Sequence, residues 1–287
     1  MAQSKHQIQA LLAEAAARPL QRLGQNFMID GNLVRLVADA AMIHAGSAGS
    51  PQAGDLVVEI GPGTGTLTEE LLARGPEVLA VEIDRNLSAL LRRRFASAGH
   101  FRLIEGDALA GKHALHPQLA GAIAAAKSAG RTVCLAANLP YNIASPLLVE
   151  LLIAGVDLLA FTVQKEVADR LRGAAGSANY GPLSVMVQLL STVQLLRTMP
   201  PQAFWPRPKV DSALVRLNRN DQLGGDAAAV GDFVHKIFSS RRKTLKNALA
   251  IAKLDAEKTL LAAGLDGRVR PEVLSPQDCL RLFRFAR

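Results

Sequence analysis

Short apolar runs, each closed by glycine, an acid or a side-chain amide, recur along the first two-thirds of the chain, most of them followed by apolar residues three to four apart. Leu56-Val57-Val58-Glu59-Ile60 is rich in β-branched residues and stops at glycines, and Thr66 to Arg74 behind it has helical spacing. Val78 to Glu82 followed by Asn86 to Phe95 repeats the pair. Phe101 to Ile104, Thr132 to Ala137 and Leu158 to Val163 read as further strands, separated by the alanine-rich segment 118–129 and by Pro146 to Ala154. Such alternation predicts a mostly parallel sheet covered by helices on both faces, an α/β fold of Rossmann-like design.

Beyond residue 180 the pattern changes. Ser184 to Leu196 and Ser212 to Leu217 look like strands joined across a proline cluster, which predicts an antiparallel pair closing the sheet. Gly224-Gly225-Asp226 marks a boundary, after which Val230 to Lys253 and Asp255 to Ala263 read as helices. The expected division is therefore a sheet-bearing domain over 1–220 and a small C-terminal α-helical domain over 221–287. No internal repeat is visible.

Length and composition agree with one large core plus an appendage: 287 residues, 49% hydrophobic. No apolar stretch approaches the roughly 20 residues that span a bilayer, and Met1 to His6 leads into no signal-type block, so the expectation is a cytoplasmic protein without membrane contact. Cys134 and Cys279 lie far apart and read as reduced thiols, with no metal site expected. Charge changes the picture more. Residues 1–196 hold 16 basic and 16 acidic side chains, while 197–287 hold 17 and 9, so the whole net charge of +8 sits in the last third. That is the distribution of a chain whose C-terminal part meets a polyanion, although a merely solvated basic surface would look the same. With only 4% aromatic residues, a surface built mainly from stacking platforms is disfavoured.

The candidate chemistry follows the strands. Gly61-Pro62-Gly63-Thr64-Gly65 falls between the first strand and the first helix, where backbone can approach a ligand that side chains would block. Such a turn alone leaves the cofactor open. Its G-x-G-x-G spacing differs from the dinucleotide fingerprint, and Pro62 removes an amide that could have bonded pyrophosphate. Glu82 ends the second strand, placed to accept from both ribose hydroxyls of an adenosine, and Asp107 follows the third, placed to accept from an adenine amino group. Either acid alone is more simply a helix cap or turn residue; together, after successive strands, they read as a site.

Asn138-Leu139-Pro140-Tyr141 follows the fourth strand, at the same sheet edge. The exocyclic nitrogen of adenine is a poor nucleophile because its lone pair is delocalised into the ring. Acceptors aimed at its two hydrogens favour a pyramidal nitrogen and direct the lone pair; the side-chain oxygen of Asn138 and the backbone carbonyl of Leu139 can do this, with Tyr141 stacked on the base. Pro140 stiffens the turn, and Phe161 on the next strand is a candidate for the other face of the base, or a core residue. Attack on a sulfonium methyl yields an ammonium that sheds its proton unaided, so no general base is required.

These residues in this order resemble the ribosomal RNA adenine N6-dimethyltransferase family. The resemblance runs through Gly24-Gln25-Asn26-Phe27, the Glu59 to Gly65 turn, Val81 to Asp84, Asn138 to Tyr141, Val163 to Val167, Tyr180 to Ser184, Pro206 to Ser212 and Arg241 to Asn247. It implies that S-adenosylmethionine is the cofactor, contacted by Asn26, Met28, Gly61, Gly63, Glu82, Asp107 and Asn138. It also implies that two adjacent adenosines in the 3′-terminal hairpin of 16S RNA are each methylated twice, within a small ribosomal subunit or its precursor, by a monomer. Arg241, Arg242, Lys243 and Lys246 are then candidates for RNA phosphates. The chain departs from the family pattern at Leu23 and Met28, where an aromatic residue and leucine are more usual, and in longer segments at 45–54 and 118–130. The rival readings are a 23S RNA adenine methyltransferase, a DNA adenine methyltransferase, and a noncatalytic RNA-binding assembly or transcription factor on the same fold.

Overall fold

The computed structural model describes residues 3–20, 23–42, 55–111, 114–240 and 242–286. In chain order the first elements are α1 (Lys5–Glu14), β1 (Phe27–Met28), α2 (Gly31–Met42), β2 (Leu56–Ile60), α3 (Thr66–Leu72), β3 (Glu77–Glu82), α4 (Arg85–Arg94) and β4 (Phe101–Glu105). They continue with α5 (Pro117–Ser128), β5 (Val133–Asn138), α6 (Ala144–Ile153), β6 (Leu158–Gln164), α7 (Lys165–Leu171), α8 (Pro182–Leu190), β7 (Ser191–Met199), β8 (Phe204–Trp205) and β9 (Ser212–Arg219). Helices α9 (Ala227–Phe238), α10 (Leu245–Ile251), α11 (Ala256–Ala263) and α12 (Pro276–Phe285) complete the described chain. Two compact units emerge: Met1–Lys165 with Gln194–Arg219, and Glu166–Val193 with Asn220–Arg287.

The first unit is organised by a seven-stranded sheet in the order β4-β3-β2-β5-β6-β9-β7. Strands β4 to β6 pair in parallel, and β9 runs antiparallel to β6. Every residue of β2 is buried, as expected of a strand covered on both faces. The chain steps outward from β2 through β3 to β4, then returns to the other side of β2 as β5. The reversal between β2 and β5 opens the crevice in which doubly wound sheets hold ligands, at the carboxyl ends of the strands. On one face, α2 packs Val34, Val37 and Ala41 against the sheet residues Val57, Cys134, Ala136 and Ala160. Helix α1 buries Ile8 and Leu12 with Phe27, Leu87 and Leu90. Cys134 and Cys279 are buried free thiols.

The second unit is helical, and here three expectations are corrected. Ser184 to Leu196 is not one strand: Pro182–Leu190 is α8, and only Ser191 onward is extended. Gly181-Pro182 starts the helix, with the Gly181 amide donating to Ser184 Oγ at 3.2 Å. Because the helix is apolar at most positions and buried at all but Pro182 and Gln188, it carries neither a clear period of two nor of 3.6. The expected division at 220 put 166–193 with the sheet, whereas this segment packs with the C-terminal helices. Tyr180 donates to the Leu274 carbonyl at 2.6 Å and meets the Phe238 ring edge-on at 6.0 Å. Finally, Val230 to Lys253 is two helices, α9 and α10, with Thr244 capping the second through a bond from the Asn247 amide.

Candidate active site

At the carboxyl edge of β2, Gly61 and Gly63 have φ of +68° and +60°, a region that penalises any residue with a Cβ. A Cβ on Gly63 would also lie 2.8 Å from the Phe27 ring. The turn is tied to the neighbouring strand twice: the Gly61 amide donates to the Val81 carbonyl at 2.9 Å, and the Gly63 amide to Glu82 Oε2 at 3.1 Å. The other Glu82 oxygen accepts from the Asp84 amide at 2.9 Å. Burial pushes the Glu82 carboxyl up to about 7, against the pull of its backbone donors. Ile83 is a third backbone donor to this carboxyl, which still has acceptor capacity unused.

Asp107, after β4, is exposed on the same cleft; its Oδ1 accepts from the Leu109 amide at 3.0 Å. Glu59, the penultimate residue of β2, also lines the cleft and is buried, with Thr68 Oγ1 donating to it at 2.7 Å. Burial pushes its carboxyl up to about 8, with the Thr68 bond opposing and the Glu82 charge adding. The sequence reading quoted Glu59 without giving it a role; an acid inside the apolar run Leu56 to Ile60 was the available signal.

Asn138 ends β5 on the opposite wall, and its carboxamide is held from both ends: Nδ2 donates to the Asn26 backbone carbonyl, and Oδ1 accepts from Thr162 Oγ1. Asn26, Met28 and Pro140 line the cleft beside it. Leu139 has a buried side chain, and its amide donates to the Thr162 carbonyl at 3.2 Å. Tyr141 is half-buried outside the cleft lining, its hydroxyl 3.0 Å from Ser212 Oγ. Phe161 is corrected: it is wholly buried, registered in the sheet between Ala137 and Val215, and offers no face to a base. Thr162, one residue on, is the polar residue in that strand that the sequence reading passed over.

The structure therefore brings Asn26, Met28, Gly61, Gly63, Glu82, Asp107, Asn138 and Pro140 to one cleft. The basic candidates are elsewhere. Arg241 lies outside the described residues; Arg242 and Lys243 are exposed in the link between α9 and α10, not on a helix; Lys246 on α10 pairs with Glu257 at 2.7 Å. Segment 118–130 is mostly α5, while 45–54 lies outside the described residues.

The donor set decides which cofactor class fits. Among the described residues the cleft is lined by three acidic side chains, Glu59, Glu82 and Asp107, and by no lysine or arginine. Pro62 has no amide, and the Gly63 amide is spent on Glu82. A phosphate group would find acid and few donors, whereas a phosphate-free, positively charged adenosyl cofactor finds acceptors for its hydroxyls and compensation for its charge. Among the described residues no group of three or more potential metal ligands occurs, and no helix is long and apolar enough to cross a membrane.

Comparison with known proteins gives the same direction. The sequence model of the family described as ribosomal RNA adenine dimethylase matches residues 18–287. The chain is 41% identical over 277 residues to ribosomal RNA small subunit methyltransferase A of Magnetococcus marinus, covering 93% of this chain and 92% of that protein. It is 40% identical over 270 residues to the protein of that name in Methylococcus capsulatus, covering 93% and 97%. Among solved structures, the 23S rRNA methyltransferase ErmE superposes with a TM-score of 0.63 at 25% identity, over 91% of this chain and 99% of that one. A dimethyladenosine transferase from Plasmodium falciparum shares the fold, with a TM-score of 0.66 at 24% identity over 89% and 95%.

Proposed function

The chain belongs to the ribosomal RNA adenine dimethylase family, and on that premise we propose that it methylates the N6 amino groups of adenosines in the 16S RNA of the small ribosomal subunit, using S-adenosylmethionine. The finer reading is that two adjacent adenosines in the 3′-terminal hairpin each receive two methyl groups. The observation that carries the methyl-transfer reading is the Asn138 carboxamide, fixed at the end of β5 and lining the same cleft as the buried Glu82 carboxylate, whereas the position in the RNA rests on the family resemblance alone.

Glu82 is suited to hold the ribose of the cofactor through its remaining lone pairs, Asp107 to accept from the adenine amino group, and Gly61 and Gly63 to let the backbone approach. When bound, S-adenosylmethionine supplies an electrophilic methyl, so that a nitrogen–carbon bond forms as the sulfur–carbon bond breaks and its electron pair returns to sulfur. The chain's own part is at the target nitrogen. Asn138 Oδ1 and the Leu139 carbonyl accept its two hydrogens, which draws the lone pair out of conjugation; the proton is then lost from the alkylammonium to water. After one transfer a single hydrogen remains, and the neutral acceptor left unused costs far less than an unpaired carboxylate would, which supports a dimethylated product.

Arg242 and Lys243, exposed and without an ion pair among the described residues, are proposed to meet RNA phosphates, with Lys246 beside them. The enzyme is proposed to act as a monomer, in the cytoplasm where ribosomal subunits are assembled. The test is to treat undermethylated small subunits, and separately large subunits, with labelled S-adenosylmethionine and to resolve the nucleosides by mass spectrometry. N6,N6-dimethyladenosine at neighbouring positions of 16S RNA is expected. Label confined to 23S RNA would favour the activity named for ErmE, and no label at all would favour a noncatalytic role.

A further inference from the structure

An asparagine side chain is chemically two-faced. Its oxygen accepts hydrogen bonds, its amide nitrogen donates them, and rotation by half a turn exchanges the two. For Asn138 the exchange is not neutral. Turned one way, it offers the target amino group an acceptor; turned the other, it aims N–H donors at a group that is itself a donor, and competes for the lone pair that must attack.

Two partners settle the orientation. The Asn26 backbone carbonyl can only accept, so it claims Nδ2 and selects the face. Thr162 Oγ1 donates to Oδ1 from β6, where Thr162 stands directly opposite Asn138 in the parallel register. Thr162 is wholly buried within a strand of apolar neighbours, where a hydroxyl is costly unless it is bonded. Its backbone carbonyl also receives the Leu139 amide at 3.2 Å. One residue therefore contacts both successive positions whose carbonyls face the target nitrogen in the proposed reaction. With one Oδ1 lone pair engaged by Thr162, one remains, so Asn138 and Leu139 each have an acceptor to offer for the two hydrogens of an adenine amino group.

We infer that Thr162 is a positioning residue for methyl transfer, its hydroxyl locking the Asn138 carboxamide so that Oδ1 stays turned toward the target amino group. The inference rests on the reading of Asn138 and Leu139 as acceptors. Thr162 touches neither reacting atom; it acts through Asn138. Removing the hydroxyl leaves the Asn138 carboxamide held at Nδ2 alone and leaves the backbone bond to Leu139 in place, so the acceptor pair loses alignment at one member only.

The test uses the full chain and small subunits lacking the modification. Thr162→Val keeps the shape and the β-branch that suits a strand, and Thr162→Ala serves as a second variant should valine disturb folding, checked by thermal melting. The expected result is a fall in kcat of about tenfold, with the KM for subunits and the calorimetric Kd for S-adenosylmethionine each within about twofold of the parent. Thr162→Ser restores most of the rate. Combined with Asn138→Ala, Thr162→Val has no further effect, because the group it aligns is gone. Wild-type kcat in both Thr162→Val and Thr162→Ala, with Asn138→Ala inactive, would overturn the positioning role and leave the proposed reaction standing. An active Asn138→Ala enzyme would overturn the acceptor reading and this inference with it. A tenfold rise in the cofactor Kd would assign the hydroxyl to cofactor binding instead and also overturn it.

Discussion

The two walls of the cleft are held together in different ways. On the cofactor wall the turn is fastened to its neighbour by backbone donors and a carboxylate from residues close in sequence, as Gly63 and Glu82 are 19 apart. On the target side the fastening is between neutral amides and hydroxyls, mostly from farther along the chain: Asn138 with Thr162 at a separation of 24 and with Asn26 at 112, and Tyr141 with Ser212 at 71. One wall is a local, buried, ionisable device; the other is an uncharged constellation that exists only once the sheet and the β1–β8 ribbon have formed. A cation-bearing ligand needs the first, while a nucleophile whose own proton count changes from two to one between turnovers is served better by the second.

The contrast can be broken by mutation. Asn138→Ala is expected to cause the largest loss, lowering kcat by about two to three orders of magnitude, since it removes a preorganised acceptor at the reacting atom. The measurement is single-turnover transfer to small subunits. If cofactor Kd rather than kcat absorbs the change, the division between the walls is wrong. Glu82→Ala comes next and does the reverse. Two ribose hydroxyls lose their acceptor at about 1 to 3 kcal/mol, roughly a ten- to hundredfold weaker Kd by calorimetry, with transfer at saturating cofactor far less affected.

The smallest effect sharpens the comparison through pH. Glu59 and Glu82 hold protons in the folded chain, up to about 8 and about 7, that they lose near 4.5 when unfolded. The folded state thus binds more protons than the unfolded state between those values, and the stability of the cofactor-free protein falls as pH rises from about 4.5 to 8. Glu59→Gln should flatten most of that slope in melting curves recorded across the range. Hydroxyl donors and a positive charge favour ionised Glu82, so cofactor affinity should rise as pH passes through about 7, with proton release on binding. A pH-independent affinity would show that Glu82 does not titrate in the site.

Legibility in the sequence depended on whether a pattern was local, not on which wall it served. The strands β2 to β6, the glycine turn, Glu82, Asp107 and Asn138 could be read because each is a local pattern: an apolar run, then a residue with a reason to stand at its end. Thr162 could not, since nothing in Leu158 to Gln164 reveals which of its residues faces Asn138; only the register between β5 and β6 does. The same register buries Phe161 against Ala137 and Val215, which removes it from the site. Helix α8 was misread because a run buried at all but Pro182 and Gln188 has too little polar face to betray its period. The break between α9 and α10 was missed because Ser239-Ser240 is a weak terminator, although Thr244, three residues before Asn247, is a capping pattern in plain sight.

The helical unit is written in two instalments, 166–193 and 220–287, with part of β7, all of β8 and all of β9 between them. A single recombination event near residue 220 would therefore import an incomplete module. The incoming helices would have to meet a resident Tyr180 that expects the carbonyl at Leu274, and a resident Met186 fitted against the bare backbone at Gly231. Diversification of this unit is thus steered away from the cut-and-paste exchange that serves contiguous domains and toward paired point substitutions in its two segments, inherited together.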